Sequence, residues 1–451
     1  MLVLLAAMWD AAAARAALGK GTVLTVVVIE KGQGTPLEYA RVAVRRGSAT
    51  VAGKITDASG RAVFKDLPAG RYAIVVHLVS HLASTDTITL TAASGAVIDT
   101  VLLAESVEEV TVSGSPEGPI STVDLRTGSQ SYTPQSAHAA PQARMTEVIA
   151  TNVVGAVRAP TGEVHVRGQH GEFTYIVDGV PIPMNVFGGL NEVVDPQVID
   201  HATFLTGGFP AEYGGQMAAI MDIRNHVPAG KLHVTAETYA GSYATSGLTD
   251  ASGQSVRGVT SNGQTLSMSD HVGDLGFFLS GTRQETARRI DPPSESLFHD
   301  HGFDYFLYGK ADYLLGASDY LTMNLSWSRT ATEVPFVASA GASDDHQQAT
   351  NAFGTLTYYR SLSSVVDHES DLGAAIYVRS GGLLFTPGAI DPAGFFFAGD
   401  TNGYLLHEDR SFTTSGLRLK AEKRYSHQVQ VAAGVEASST SAHELFTPTA
   451  A

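Results

Sequence analysis

The chain has 451 residues, 43% of them hydrophobic and only 16% charged, with 46 glycines, 18 prolines and no cysteine. That balance excludes a disordered chain, a collagen and a coiled coil, and the lack of cysteine excludes disulfides, thiolate metal sites and cysteine nucleophiles. A formal net charge of −16, spread over both halves, argues against a nucleic-acid partner, because phosphate contacts need a basic face.

The first residues, Met1-Leu-Val-Leu-Leu-Ala-Ala-Met-Trp9, are apolar and lead into an alanine run broken by Arg15. Residues 1–17 have the form of a secretory leader, although no Lys or Arg precedes the apolar run. An ordinary apolar N-terminal helix, or a start codon placed too late, is the other reading. No apolar stretch reaches the ~18 residues of a transmembrane helix.

Residues 20–104 read as short strands punctuated by turns. Leu24–Ile29 is β-branched, Tyr39–Val44 alternates, Thr56-Asp-Ala-Ser-Gly60 is a turn cluster, and Tyr72–Leu78 is again a strand. Strands at this spacing argue for a small β-sandwich. The stretches Thr35–Val44, Thr56–Phe64 and Leu67-Pro-Ala-Gly-Arg-Tyr72 resemble the carboxypeptidase regulatory-like domain. That resemblance implies a non-catalytic accessory module, and no zinc-binding His/Glu spacing occurs in it.

Residues 105–143 are rich in Ser, Pro, Gly, Thr and Gln, which is linker chemistry. Within them Val107-Glu-Glu-Val-Thr-Val-Ser-Gly114 can form one strand. A lone strand in a linker suits pairing with a partner's sheet edge. The segment Glu109, Val110, Thr111, Val112 and Ser113 resembles the TonB box, by which outer-membrane transporters engage the energy-coupling protein TonB. The alternative is the last strand of the sandwich.

Residues 144–228 carry the densest pattern. Val164–Gly168 reads as a strand ending at Gly168. Phe173–Ile182 reads as a hairpin around Asp178-Gly179, a pair suited to a two-residue turn. A connector and strand follow over Val193–Leu205, then a glycine-dense stretch, then a closing strand at Ile220–Arg224. This order is similar to the plug domain of TonB-dependent receptors. The matching pieces are V-x-V-R-G with Arg167 and Gly168, and Y-x-V-D-G-V-P with Asp178, Gly179 and Pro181. The others are G-G-F-P-A-E-Y-G-G with Gly207, Gly208, Tyr213, Gly214 and Gly215, and M-D-I-R at 221–224. The roles implied are structural, so Asp178 is a turn residue rather than a catalytic acid. His165, His170 and Glu172 read as the polar face of a strand rather than a metal site.

From Lys231 the chain alternates over long stretches. Leu321, Met323, Leu325 and Trp327 fall on one face, with Thr322, Asn324, Ser326 and Ser328 on the other. Phe303, Tyr305, Leu307 and Ala311 alternate with Asp304, Lys310 and Asp312. A membrane barrel wall needs this dyad, and a soluble sandwich shows it too. Strands read near 231–245, 259–270, 274–287, 303–315, 318–331, 350–361, 366–383, 407–422 and 427–442. Short and long connections alternate between them, as periplasmic turns and extracellular loops do. A plugged barrel takes about 22 strands, so the region 231–451 reads as the N-terminal part of a barrel and the chain as a fragment.

No P-loop, HExxH or GxSxG pattern occurs. His299-Asp-His301 and Asp344-Asp-His346 fall in predicted outer loops and read as solvated charges, with cation or metal-chelate binding as the alternative. Phe395-Phe-Phe397 reads as a substrate contact or part of an interfacial girdle. The expected fold class is mainly β: a small β-sandwich, an α+β plug domain, then an incomplete antiparallel transmembrane β-barrel. The resemblance implies a non-enzymatic receptor in the outer membrane of a Gram-negative bacterium, with no cofactor. The implied partners are the TonB energy-coupling complex, outer-membrane lipid, and an extracellular substrate of the siderophore, cobalamin, oligosaccharide or peptide class. A secreted multi-domain β adhesion or binding protein is the alternative.

Overall fold

The computed structural model describes residues 22–30, 36–37, 40–46, 49–57, 59–77, 81–82, 84–91, 96–104, 123–124, 129–132, 144–158, 164–166, 169–170, 173–182, 192–206, 209, 219–226, 232–241, 261–272, 275–287, 289, 299–315, 319–334, 344–363, 370–388, 404–426 and 429–450. The first module contains β1 (Thr22–Glu30), β2 (Arg41–Arg46), β3 (Ala49–Ile55), β4 (Arg61–Leu67), β5 (Gly70–His77), β6 (His81–Leu82), β7 (Ser84–Leu90) and β8 (Ala96–Ala104). They form two four-stranded sheets in the orders β4-β1-β8-β6 and β3-β2-β5-β7. Alternation dictates their packing. Leu24, Val26 and Val28 of β1 meet Val42, Val44, Phe64, Tyr72 and Ile74 in one core. Burying each such side chain stabilises the module by roughly 1.5–3 kcal/mol. Between β3 and β4, Asp57 Oδ1 accepts from Ser59 N (2.9 Å), Ser59 Oγ (2.6 Å) and Arg61 N (3.0 Å). Gly60 has φ +70°, and a Cβ there would lie 2.4 Å from the Val28 carbonyl oxygen. Periodicity shows β1, β2 and β5 but not β7, whose only large apolar residues are Ile88 and Leu90.

The middle module comprises β9 (Val123–Asp124), β10 (Ser129–Tyr132), α1 (Met145–Asn152), β11 (Ala156–Arg158), β12 (Val164–Val166), β13 (Gln169–His170), β14 (Phe173–Val177), β15 (Val180–Ile182), β16 (Ile199–Leu205) and β17 (Ala219–Asn225). A six-stranded sheet runs β15-β14-β17-β16-β10-β9, and β11-β12-β13 form a smaller one. Met145, Val148 and Ile149 of α1 join Val166, Val177, Phe204, Met221 and Ile223 in its core. Strand β12 pairs with β13 at Val166↔Gln169 and His165↔His170, while Arg167 and Gly168, the expected end of the strand, lie outside the described residues.

The third region is one antiparallel sheet of nine strands, each bonded to the next. They are β18 (His233–Gly241), β19 (Ser261–Val272), β20 (Leu275–Thr286), β21 (Gly302–Leu314), β22 (Asp319–Glu333), β23 (His346–Ser363), β24 (Ser370–Thr386), β25 (Tyr404–Ser426) and β26 (Val429–Ala450). The sheet is open, with β18 and β26 as its edges. Its side chains are sorted inversely to those of a soluble sheet. Leu307 (57%), Leu325 (51%) and Ile376 (53%) are exposed on the outer face, while Asp304, Asn324, Ser328 and Arg379 are each 1% exposed on the inner face. Two glycines receive aromatic rings from the preceding strand. A Cβ at Gly263 would sit 2.3 Å from the Tyr239 ring, and one at Gly416 2.2 Å from the Tyr377 ring. Strand β23 begins at His346, earlier than the alternation suggests, because His346-Gln-Gln carries no apolar side chain to mark it. Strands β25 and β26 also outrun their expected ends, and edge strand β26 accommodates Pro448. Among the described residues no helix is long and apolar enough to cross a membrane.

Candidate functional site at the inner face of the wall

The middle module packs on the polar inner face of the nine-stranded wall. Contact begins at the hairpin between β14 and β15. Asp178 (φ 48°) and Gly179 (φ 83°) form its turn, and Pro181 lies on β15 opposite Ile176. The positive φ pair satisfies the twist of a tight hairpin. That turn presents the Asp178 carboxylate to β21, where Lys310 Nζ donates to Oδ2 at 3.0 Å. Both side chains are largely buried, at 6% and 14% exposure. Asn225 N donates to the other oxygen of Asp178 at 3.2 Å, tying the turn to β17.

A second chain of bonds runs from the module into the wall. Asn225 Nδ2 donates to Tyr308 Oη (2.7 Å), Tyr308 Oη donates to Asn324 Oδ1 (2.7 Å), and Asn324 Nδ2 donates to Thr355 Oγ1 (3.2 Å). Apolar contact accompanies it: Phe278, Tyr308 and Phe353 of the wall belong to the module's own core cluster. Val180 packs with Ala375 and Tyr377.

A third group surrounds the start of α1. Arg144, the residue before the helix, gives no side-chain cap. Glu192 supplies the missing acceptor from another segment. Met145 N donates to its Oε2 at 3.0 Å, and Thr146 Oγ1 bonds its Oε1. A carboxylate there also meets the positive end of the helix dipole. Burial pushes the Glu192 carboxyl above its ordinary range, against the pull of Arg144 and Arg289. Arg144 pairs with Glu147 and donates to the Arg289 carbonyl oxygen at 2.8 Å. Arg289 in turn pairs with Asp304 of β21, which also accepts from Gln284 Nε2 at 3.2 Å. Ser328 Oγ and Ser326 Oγ donate to the carbonyls of Glu192 (2.7 Å) and Val193 (3.3 Å). Asp195 is 3% exposed, accepts from Gln197 N at 2.9 Å, and burial lifts its carboxyl to about 6.

The interface is therefore mostly hydrogen bonds and ion pairs over a few apolar anchors. Each ordinary hydrogen bond exchanged for water costs only about 1 kcal/mol net. Such a contact is polar where the core inside the module is apolar.

Of the residues singled out from the sequence, the structure places Asp178, Gly179 and Pro181 in the β14–β15 hairpin, and Asp178 reaches the wall. Arg167, Gly168, Gly207, Gly208, Tyr213, Gly214, Gly215, Glu172, the segment Glu109–Ser113, Phe395–Phe397 and the leader over 1–17 lie outside the described residues. His165 is half-buried between Val164 and Val166 on β12. Sequence reasoning passed over Glu192, Asp195 and Arg289, which sit in connecting segments without periodicity. Lys310 carried a usable signal: a cation in the polar register of a strand whose other face is apolar.

At the opposite quarter of the fold, Arg41 of β2 lies over the Tyr320 ring at 5.3 Å, at the short-connection end of the wall. The other end carries the connections 242–260, 287–301, 334–345 and 387–403. There His299 and Asp344 meet, with Nε2 and Oδ1 2.8 Å apart, although they are distant in sequence.

Residues 23–103 match the family model of the carboxypeptidase regulatory-like domain. No curated protein matches the chain. Among solved structures, a copper transporter, OprC, superposes with a TM-score of 0.55 at 12% identity, covering 74% of this chain and 49% of that one. The siderophore receptor PirA from Pseudomonas aeruginosa gives 0.44 at 14% identity, over 70% of this chain and 57% of that one. The ferric yersiniabactin uptake receptor FyuA from Yersinia pestis gives 0.45 at 12% identity, over 72% and 60%. The chain thus spans roughly half to three-fifths of the length of the structures it matches. The copper-transporter likeness is one of fold, and the open nine-stranded sheet is an incomplete barrel of that kind.

Proposed function

We propose that the chain is the accessory domain, plug and first part of the barrel of a TonB-dependent outer-membrane transport receptor. In this reading the accessory domain spans 20–104, the linker 105–143, the plug 144–228 and the barrel wall 231–451. The observation that carries it is the inverted wall: apolar residues exposed outside, charged and polar ones buried inside beneath the middle module. A lipid bilayer outside and a removable plug inside account for both faces at once. A secreted adhesion protein would have to expose the outer apolar face to water.

The mechanism uses the polarity of the seal. Substrate of the siderophore, cobalamin, oligosaccharide or peptide class binds between the long connections and the plug. TonB pairs with Glu109–Ser113 as an added strand. Tension then enters the plug at β9, the edge of its sheet, which holds β10 by only the pairs Ser129↔Asp124 and Gln130↔Val123. Strand β10 comes next, held by β16 over Ser129–Tyr132. The sheet opens from its weakest edge inward, and water replaces the hydrogen bonds along the wall. No covalent step is needed.

Deletion of Glu109–Ser113 in the full-length gene product tests this. Substrate uptake is expected to fall to background while the protein still fractionates with outer membranes. Uptake that survives the deletion removes the TonB-box assignment, and a protein recovered in the soluble fraction removes the receptor reading.

A further inference from the structure

We propose that His299, Asp344 and His346 form a binding site for a late first-row divalent cation of the zinc class, joining two long connections of the wall. The proposal does not depend on transport, since it concerns only what these three side chains hold. His299 comes from the connection between β20 and β21, while Asp344 and the first residue of β23, His346, flank the end of the next long connection.

The geometry is that of a ligand set. One ligating atom from each residue lies within 4.8 Å of the others. His299 Nε2 is 2.8 Å and His346 Nε2 3.0 Å from the same oxygen, Asp344 Oδ1. The two imidazole rings meet edge to face at 5.2 Å. In a tetrahedral site with bonds of ~2.0–2.2 Å, neighbouring donor atoms lie about 3.3 Å apart. An ion therefore enters by opening these contacts a few tenths of an ångström.

The far side of the His299 ring is also fixed. His299 Nδ1 lies 3.1 Å from the Val334 carbonyl oxygen. A carbonyl only accepts, so Nδ1 carries a hydrogen and donates it. That leaves Nε2 as the ring nitrogen facing Asp344, where a proton or a cation can bridge the two. A backbone carbonyl holding the far ring nitrogen is also how protein metal sites fix a histidine's tautomer and orientation.

The backbone around the three residues is clamped. His299 has φ 48°, a conformation that a non-glycine residue keeps only when its surroundings hold it. Val334 N donates to Asp345 O at 2.9 Å, Gly388 N donates to Asp345 Oδ1 at 2.7 Å, and His301 N donates to Glu333 Oε2 at 3.0 Å. The ligands are thus presented by backbone tied to the ends of β22, β23 and β24.

The chemical class follows from the donors. Two imidazoles and one carboxylate suit zinc, cobalt, nickel or copper, whereas calcium and magnesium favour all-oxygen sites. Asp344 and His346 are 76% and 49% exposed, so a fourth position opens to solvent and takes water or a donor atom from a bound ligand.

Cobalt titration of the full chain in detergent, followed by zinc competition, tests the site. A single equivalent of Co2+ is expected to give the visible bands of a four-coordinate centre, and Zn2+ to abolish them. His299→Ala, His346→Ala and Asp344→Asn are each expected to weaken zinc binding by roughly 100-fold, at least what an outer-shell change alone can cost. His301→Ala, whose ring faces Glu285 at 2.9 Å instead, is expected to leave it unchanged. Asp344→Asn is isosteric at an exposed position and decides the matter if a histidine variant loses its β-sheet dichroism. A wild-type chain that binds neither ion overturns the proposal, as does a His301→Ala variant that weakens binding as much as Asp344→Asn.

Discussion

At the residue scale, the contact between the middle module and the wall turns on a few buried charges. The Asp178–Lys310 pair is the clearest. Removing one partner leaves the other buried and unpaired, which costs roughly 3–5 kcal/mol, while removing both costs much less than the sum. Asp178→Asn keeps a residue that tolerates positive φ, so it isolates the charge from the turn. Denaturant unfolding of Asp178→Asn, Lys310→Met and the double variant should show this coupling. Additive losses would mean that the pair is not closed in solution. Asp195 makes an opposite prediction. Its carboxyl is raised from 3.8 to about 6, chiefly by burial, so the folded state favours the protonated form. The stability it contributes is complete below the unfolded value and is lost as pH rises through about 6. Asp195→Asn keeps an acceptor for Gln197 N and is expected to stabilise the fold at pH 7 by on the order of 2 kcal/mol. It should also flatten the dependence between pH 4 and 6 in a thermal-melting series, and a variant less stable than the parent at neutral pH would contradict this.

At the scale of elements, the proposed mechanism makes the order of strands in the middle module's sheet the order of its opening. Strands β9 and β10 lie at one edge and are the first described elements of the middle module after residues 109–113. Ser131 of β10 stands opposite Thr203 of β16. The chain has no cysteine, so the pair Ser131→Cys and Thr203→Cys can be joined without competing thiols. Directly opposed antiparallel positions lie ~4.5–5.5 Å apart at Cβ, near the span of a disulfide. The oxidised double variant is expected to lose uptake and to regain it on reduction, with outer-membrane localisation unchanged throughout. Uptake that proceeds with the disulfide formed would mean that the plug leaves as a unit or opens elsewhere. Strands of this kind were legible to different depths. Leu321 to Ser328 declares its two faces because every second residue is apolar, and β22 forms there. His346-Gln-Gln declares nothing, since polar residues on both faces carry no period. The Asp178-Gly179 turn was readable from two residues. Its ion pair with Lys310, 132 positions away, was not, because register between distant strands leaves no local mark.

At the scale of the whole molecule, the middle module lies on the inner face of an open wall, and the sandwich and the histidine cluster lie at opposite ends of its strands. The sandwich touches the wall where the connections are short, through Arg41 over Tyr320. The His299–Asp344–His346 cluster sits where they are long. Such polarity suits a receptor that meets its energy source on one side of a membrane and its substrate on the other. The order of the three modules was legible from composition and motifs. The inner surface was not, since Glu192 and Arg289 find their partners only in the folded contact between distant segments.

The central claim is that the outer face of the wall meets lipid. Spin labels at Leu307→Cys, Leu325→Cys and Leu417→Cys, in the membrane-inserted protein, test it most directly. Those positions are 57%, 51% and 45% exposed, all on the outer face. The account predicts that dissolved oxygen relaxes these labels strongly and a water-soluble nickel chelate hardly at all. Labels relaxed mainly by the nickel chelate would place that face in water and contradict the assignment of the sheet as a membrane wall.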